Sequence, residues 1–333
     1  MRNFSLILSA LLPAGCAMLI SGVAVAGTAE VVRDLALPGY QAFADQTVIY
    51  RDAAEKDCGV NAMREGYDAV FDTWLQVQPL MFGPAEEHGR ALAVVFWPDP
   101  KGMAARSISA AMKGDPATLD DPEAFAKGSV AGRGLLALEK LLYDPALMDQ
   151  PQSCALRRAI ARDLARTGDQ ILTGWKQGYA EALLDPANKG DGTYLDDKEV
   201  LQMLYTQVLA ALEMDEDKRI GRPLATADRP RPELAEAALS GRAQRNLVQS
   251  LNGIEAFVAA LCPECGKTQA ALDQAETAAS ALDDPSFAGI ATPEGWNRLD
   301  AVRAKISEAR QIAQVEIAGA LGVTKGFNAA DGD

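Results

Sequence analysis

Apolar residues recur every three or four positions through most of this chain, and that spacing limits the fold more than any other feature. Leu156, Ile160, Leu164, Ile171, Trp175 and Tyr179 fall on one face of a long helix. Leu247, Leu251, Ile254, Val258 and Leu261 repeat the pattern, as do Leu299, Val302, Ile306 and Ala309. A stripe of this period buries one side of a helix and leaves the other to water. The same reading predicts helices near 39–57, 61–80, 196–214 and 267–282. Only Ala91–Trp97, ALAVVFW, reads as extended, and it stops at Pro98-Asp99-Pro100. Long helices joined by short polar turns pack as up-and-down bundles, and their number here predicts two, with little or no sheet. The division is expected near residue 190, in the turn-rich DPANKGDGTYLDD of Asp185–Asp197, giving bundles over 27–190 and 191–333. A calcium loop starting at Asp185 is excluded, because Ala187 and Lys189 stand where oxygen ligands are required.

The chain opens on one basic residue and a long apolar run that ends at Ala24-Val25-Ala26, the pattern of a secretory signal cut after Ala26. Residues 1–26 are therefore read as a signal peptide, and the protein as exported to the periplasm or cell envelope. The segment Leu12-Pro13-Ala14-Gly15-Cys16 is a degraded lipoprotein box, with proline where a leucine is usual; membrane attachment would follow only from a lipid on Cys16. The net charge of −14 becomes more negative when Arg2 is removed, which makes a phosphate backbone an unsuitable partner and excludes nucleic acid. Cys58, Cys154, Cys262 and Cys265 remain, and an even number in an exported chain predicts disulfides. Cys262-Pro263-Glu264-Cys265 is the local pair, which leaves Cys58 with Cys154; a redox dithiol at the local pair would need a βαβ setting that the helical pattern does not supply.

Several chemistries are missing. A helical zinc peptidase uses two histidines one turn apart, whereas His88 is the sole histidine, in FGPAEEHGR, where it reads as a surface residue. No Ser-His-Asp arrangement, phosphate-cradling glycine loop or dinucleotide fingerprint is present. No residue is assigned a catalytic role.

Three segments carry a resemblance: FWPDPKG at Phe96–Gly102, GRGLLALEKLLYD at Gly132–Asp144 and GRPLATADRPRPELAEAALSGRAQRNL at Gly221–Leu247. Together, in this order, they resemble the imelysin-like family, exported helical proteins named for an insulin-cleaving peptidase. The resemblance implies two packed four-helix bundles with a site in the cleft between them. It also implies a link to iron, with iron or another divalent metal as a possible cofactor and an iron complex or an envelope protein as a possible partner. The family motif Gly-x-His-x-x-Glu falls on Gly134, Leu136 and Glu139, so leucine replaces the histidine.

That replacement isolates Glu139. Positions i and i+3 share a helical face, so an imidazole at 136 would meet the carboxylate, and leucine does not. A buried carboxylate needs a cation or a proton. Arg133, Arg222 and Arg242 are the expected cations, and two readings stand for Glu139: an ion pair stitching the bundles, or a ligand-binding group in the cleft. Trp97, Asp99 and Asn246 join the expected ligand-binding set, the competing role of Asp99 being to cap the following helix. By this reading the chain is a non-enzymatic accessory or binding protein linked to iron uptake, with an imelysin-type metallopeptidase as the alternative.

Overall fold

The computed structural model describes residues 27–189 and 192–324. The expected signal peptide with Cys16, and the expected joint at residue 190, lie outside the described residues. The protein is all-α, and among the described residues the sole β contact is an isolated bridge between Thr226 and Arg229.

Ten helices suffice to place the site. In chain order they are α1 Leu37–Lys56, α2 Val60–Val77, α3 Arg90–Val94, α4 Met103–Lys113, α5 Gly134–Tyr143, α6 Ser153–Gly174, α7 Asp197–Glu213, α8 Ala243–Leu261, α9 Gly266–Ser280 and α10 Pro293–Leu321. The first four-helix group is a closed ring: α1 packs on α2, α2 on α5, α5 on α6, and α6 back on α1. The second ring runs α7, α8, α9, α10 and back to α7 in the same way. Contact between the rings is made chiefly by α2 against α8. The apolar stripes explain this arrangement: Leu156, Ile160, Leu164, Ile171 and Trp175 on one side, and Leu247, Leu251, Ile254, Val258 and Leu261 on the other, are all buried in one continuous core.

Both disulfides are present. Cys58–Cys154 joins the end of α1 to the start of α6, with Cα atoms 5.3 Å apart. Cys262–Cys265 closes the turn from α8 to α9, Cα atoms 5.4 Å apart.

The segment read as extended is different in detail. Arg90–Val94 forms a helical turn, and only from Val95 (φ −137°, ψ 104°) is the backbone extended. An isolated extended segment has no ladder to join, and Pro98 and Pro100 withhold two donors from any that might form. Ala93, Val94 and Val95 instead bury their side chains in the core, with their backbone against α5. Gly134 makes that approach possible: its φ is +74°, and a Cβ there would lie 2.3 Å from the carbonyl oxygens of both Ala93 and Val94.

Candidate functional site

Two irregular stretches face each other across the first residues of α5. One is Phe96–Gly102, which leads from the buried turn at Val94 into α4. Asp99 caps that helix, one carboxylate oxygen accepting from Met103 N–H and the other from Ala104 N–H, both at 2.8 Å. The other stretch runs from Glu233 to Ser240 and contains Ala237 at φ +53°, a left-handed turn that brings Ser240 back over α5. Helix α5 contributes Leu136, Glu139 and Lys140, at i, i+3 and i+4, to the face between them. These elements, with Arg222, enclose a cavity of about 210 Å³ whose remaining walls include Trp97 and Leu239.

Glu139 is almost fully buried, at 5% exposure. Its Oε1 accepts from both the backbone N–H and the hydroxyl of Ser240, each at 2.8 Å. Its Oε2 has no hydrogen-bond partner among the described residues. Burial raises the carboxyl above the usual glutamate range; the two Ser240 bonds pull it down without cancelling that effect, and the nearby Glu236 carboxylate adds to the rise. No arginine lies within ion-pair distance of Glu139 among the described residues, so the expected Glu139–arginine bridge is replaced by a serine clamp.

The expected arginines are placed as follows. Arg133 is buried and forks onto Asp163 (Nε to Oδ2 2.7 Å, Nη2 to Oδ1 3.0 Å), while Nη1 donates to the Ala126 carbonyl at 2.7 Å. It borders a separate cavity of about 290 Å³ against α4. Arg242 reaches across to α2, donating to Asp68 at 2.5 Å and Asp72 at 2.6 Å, with its guanidinium 4.9 Å from the centre of the Phe71 ring. Asn246 accepts from Arg242 at 3.2 Å and donates to Glu236 at 3.1 Å. Arg242 thus ties the two rings together with Asn246 holding it from its own side, and neither lines the cavity. Arg222 does line it, and makes no hydrogen bond or ion pair among the described residues; its Nε is buried without a partner. Of the expected set, the cavity brings together Trp97, Asp99, Glu139 and Arg222.

Sequence reading missed the centre of the buried network. Arg219 is 2% exposed; it donates to Asp215, to Glu236 at 2.8 Å, to Ser250 at 3.0 Å and to Gln78 of the first ring. Burial pushes the Asp215 carboxyl up to about 6, Arg219 acting in the opposite direction. The run MDEDKRIG, with five charged residues in succession, has the composition of a solvated face, which conceals this role. It forms a π-helical segment, Met214–Gly221, continuing α7, and the changed period turns Asp215 and Arg219 inward.

The donor set does not fit a bare metal ion. Among the described residues no group of three or more His, Cys, Asp or Glu side chains is placed to hold one. In the cavity both Asp99 oxygens are committed to backbone N–H groups, Glu233 is paired with Arg231, Glu139 offers one oxygen, and Lys140 and Arg222 add two cations. His88 is exposed on a short turn preceding α3.

Comparison with known proteins gives one family and a shared fold. A family model described as Imelysin, which carries a peptidase label, matches residues 36–313. The structure is similar to that of an imelysin-like protein from Psychrobacter arcticum, with a TM-score of 0.74 and 19% identity over 90% of this chain and 97% of that one. It is also similar to a protein described as an iron-regulated protein A precursor from Parabacteroides distasonis, with a TM-score of 0.69 and 16% identity over 87% and 94% of the two chains. None of the curated proteins matches the chain.

Proposed function

The chain belongs to the imelysin family, and on that premise we propose that it is an exported, non-enzymatic binding protein of the cell envelope whose ligand sits in the cavity between α5 and the 233–240 segment. The observation that carries the proposal is a pair of unfinished interactions: Glu139 Oε2 and the Arg222 guanidinium face one cavity, and neither has a hydrogen-bond or ion-pair partner among the described residues. Arg222 Nε is buried without a partner among the described residues, and a buried polar group left unmet costs about 1–3 kcal/mol, so a site that keeps it beside the free Glu139 oxygen is organised for something that completes both. The N-terminal sequence supports export. Among the described residues no helix is long and apolar enough to cross a membrane.

A connection to iron is supported by the name of one structural relative and enters as part of the proposal: an iron complex or an envelope protein partner, not the bare ion, suits a wall with Lys140 and Arg222. Peptidase chemistry is the second reading, favoured by the family label. A zinc site holds its metal with three protein ligands and leaves a position for water; here Leu136 occupies the motif position of histidine, and Ser240 is clamped to Glu139 by its own N–H as well as its hydroxyl. Native mass spectrometry of protein purified from its own envelope tests the binding reading, which expects a retained small molecule or partner that a Leu136→Trp cavity filling removes. Cleavage of insulin chains that is abolished by Glu139→Gln would replace this reading with the peptidase.

A further inference from the structure

The polar inventory of the cavity specifies a ligand chemistry. Lys140 and Arg222 are cations without a hydrogen bond or ion pair among the described residues, in a chain whose net charge is −14. In so acidic a protein, cations have abundant carboxylates to meet, and Arg219, Arg242, Arg133 and Arg162 all do so. Lys140 and Arg222 share the cavity and make no ion pair among the described residues, Lys140 acting on Glu139 through its charge alone and the Glu233 carboxylate in the same wall being taken by Arg231, so together they form an anion-binding pair. Opposite in sign, Glu139 presents one free oxygen from a nine-tenths buried side chain, so it accepts one hydrogen bond more than the protein supplies. Leu136 completes the contrast: it turns a position suited to an imidazole into apolar wall beside Trp97 and Leu239.

We infer that the cavity takes a small organic carboxylate that also carries a hydrogen-bond donor, an α-hydroxy or α-amino acid with an apolar side chain. Its carboxylate meets Arg222 and Lys140, its hydroxyl or ammonium donates to Glu139 Oε2, and its side chain lies against Trp97 and Leu239. The inference rests on the cavity being the ligand site. About 210 Å³ limits the occupant to a small molecule. The two donor types separate at Glu139: an ammonium gains from the ionised carboxylate and finds no acceptor in Glu139→Gln, where the amide nitrogen takes the place of Oε2, whereas a hydroxyl can turn and accept from that amide N–H.

Calorimetric titration of the purified protein with phenylalanine, 3-phenyllactate, 3-phenylpropionate and phenethylamine tests this. The expected result is that phenylalanine or phenyllactate binds, about tenfold more tightly than phenylpropionate, and loses about tenfold or more in Arg222→Gln, the scale of one charge-assisted hydrogen bond. Loss of the margin over phenylpropionate in Glu139→Gln identifies the amino acid; its retention, with phenyllactate the tighter ligand, identifies the hydroxy acid. Absence of binding by both acids at millimolar concentration, or unchanged affinity in an Arg222→Gln protein that melts normally, overturns the inference. Leu136→Trp separates that failure from failure of the binding reading. If phenethylamine or ferric iron binds, is lost in Leu136→Trp and is indifferent to Arg222→Gln, only the ligand class is wrong. If a bound probe keeps its affinity in Leu136→Trp, the cavity is not the site and both fall.

Discussion

Glu139→Gln should leave the fold nearly as stable as before, and the reason lies in the sign of the glutamate's own titration. Gln retains a carbonyl oxygen that accepts both Ser240 bonds, which are 2.8 Å long in the native protein. Losing charge assistance weakens each by about 1 kcal/mol, since bonds to charged groups contribute roughly 1.5–3 kcal/mol against roughly 1 for neutral ones. Removing a buried negative charge acts the other way. The carboxyl is raised, with burial the largest cause, so the folded protein disfavours the ionised form on balance even with both serine bonds in place. A neutral isostere is then close to neutral at pH 7, within about 1 kcal/mol, or a few degrees in melting temperature for a protein of this size. A folded-state carboxyl titrating above its unfolded value binds more protons in the native state, so its contribution falls as pH rises through the window between the two. Glu139→Gln should therefore gain on the wild type as pH increases across that window. Urea unfolding of both proteins from pH 4 to 8 measures it. A loss of about 3–5 kcal/mol at neutral pH, the scale of a buried ion pair broken on one side, would refute the reasoning. So would a difference that grows in favour of the wild type with pH.

Other perturbations follow from the buried network and the α5 entry. Arg219→Met strands Asp215 and Glu236, which already carry one buried oxygen each without a partner among the described residues, and should cost about 3–5 kcal/mol in a urea melt. Asp215, pushed up to about 6, should make wild-type stability decline as pH rises from its unfolded value near 4 through 6, and Asp215→Asn should remove that slope. Gly134→Ala places a Cβ 2.3 Å from two backbone oxygens at a φ of +74°, so a fall of several degrees in melting temperature is expected in a thermal scan, together with weaker binding at the adjoining cavity.

The helices were legible because burial on one face writes itself into the sequence at the period of the helix, and the stripes at Leu156–Trp175 and Leu247–Leu261 are buried as read. The disulfides were legible from count and spacing. Glu139 was recognisable as a buried acid, but its partner was not. Ser240 reaches it from an irregular segment, through a left-handed Ala237 that no periodicity announces. The Arg219 network was hidden for a related reason: charge patterning reports solvent exposure on an ordinary helix, and a π-helical segment turns the same residues inward. Arg133 and Arg242 were identified as buried-pair arginines yet assigned to the wrong acid, since a single sequence gives the valence of a guanidinium and not its direction.

The central claim is that the cavity beside Glu139 is where this protein binds its ligand, and the indole of Trp97 is its built-in reporter. The chain has four tryptophans, of which Trp74 and Trp175 are wholly buried in the core and Trp296 is held by the Leu224 carbonyl at 3.0 Å. With 5-fluorotryptophan incorporated, fluorine NMR gives four lines, and Trp97→Phe assigns the one that matters. Titration with a small-molecule extract of the native envelope should move or broaden the Trp97 line alone, and Leu136→Trp, which adds a line of its own, should abolish that response. A Trp97 line that stays fixed while another shifts would contradict the account.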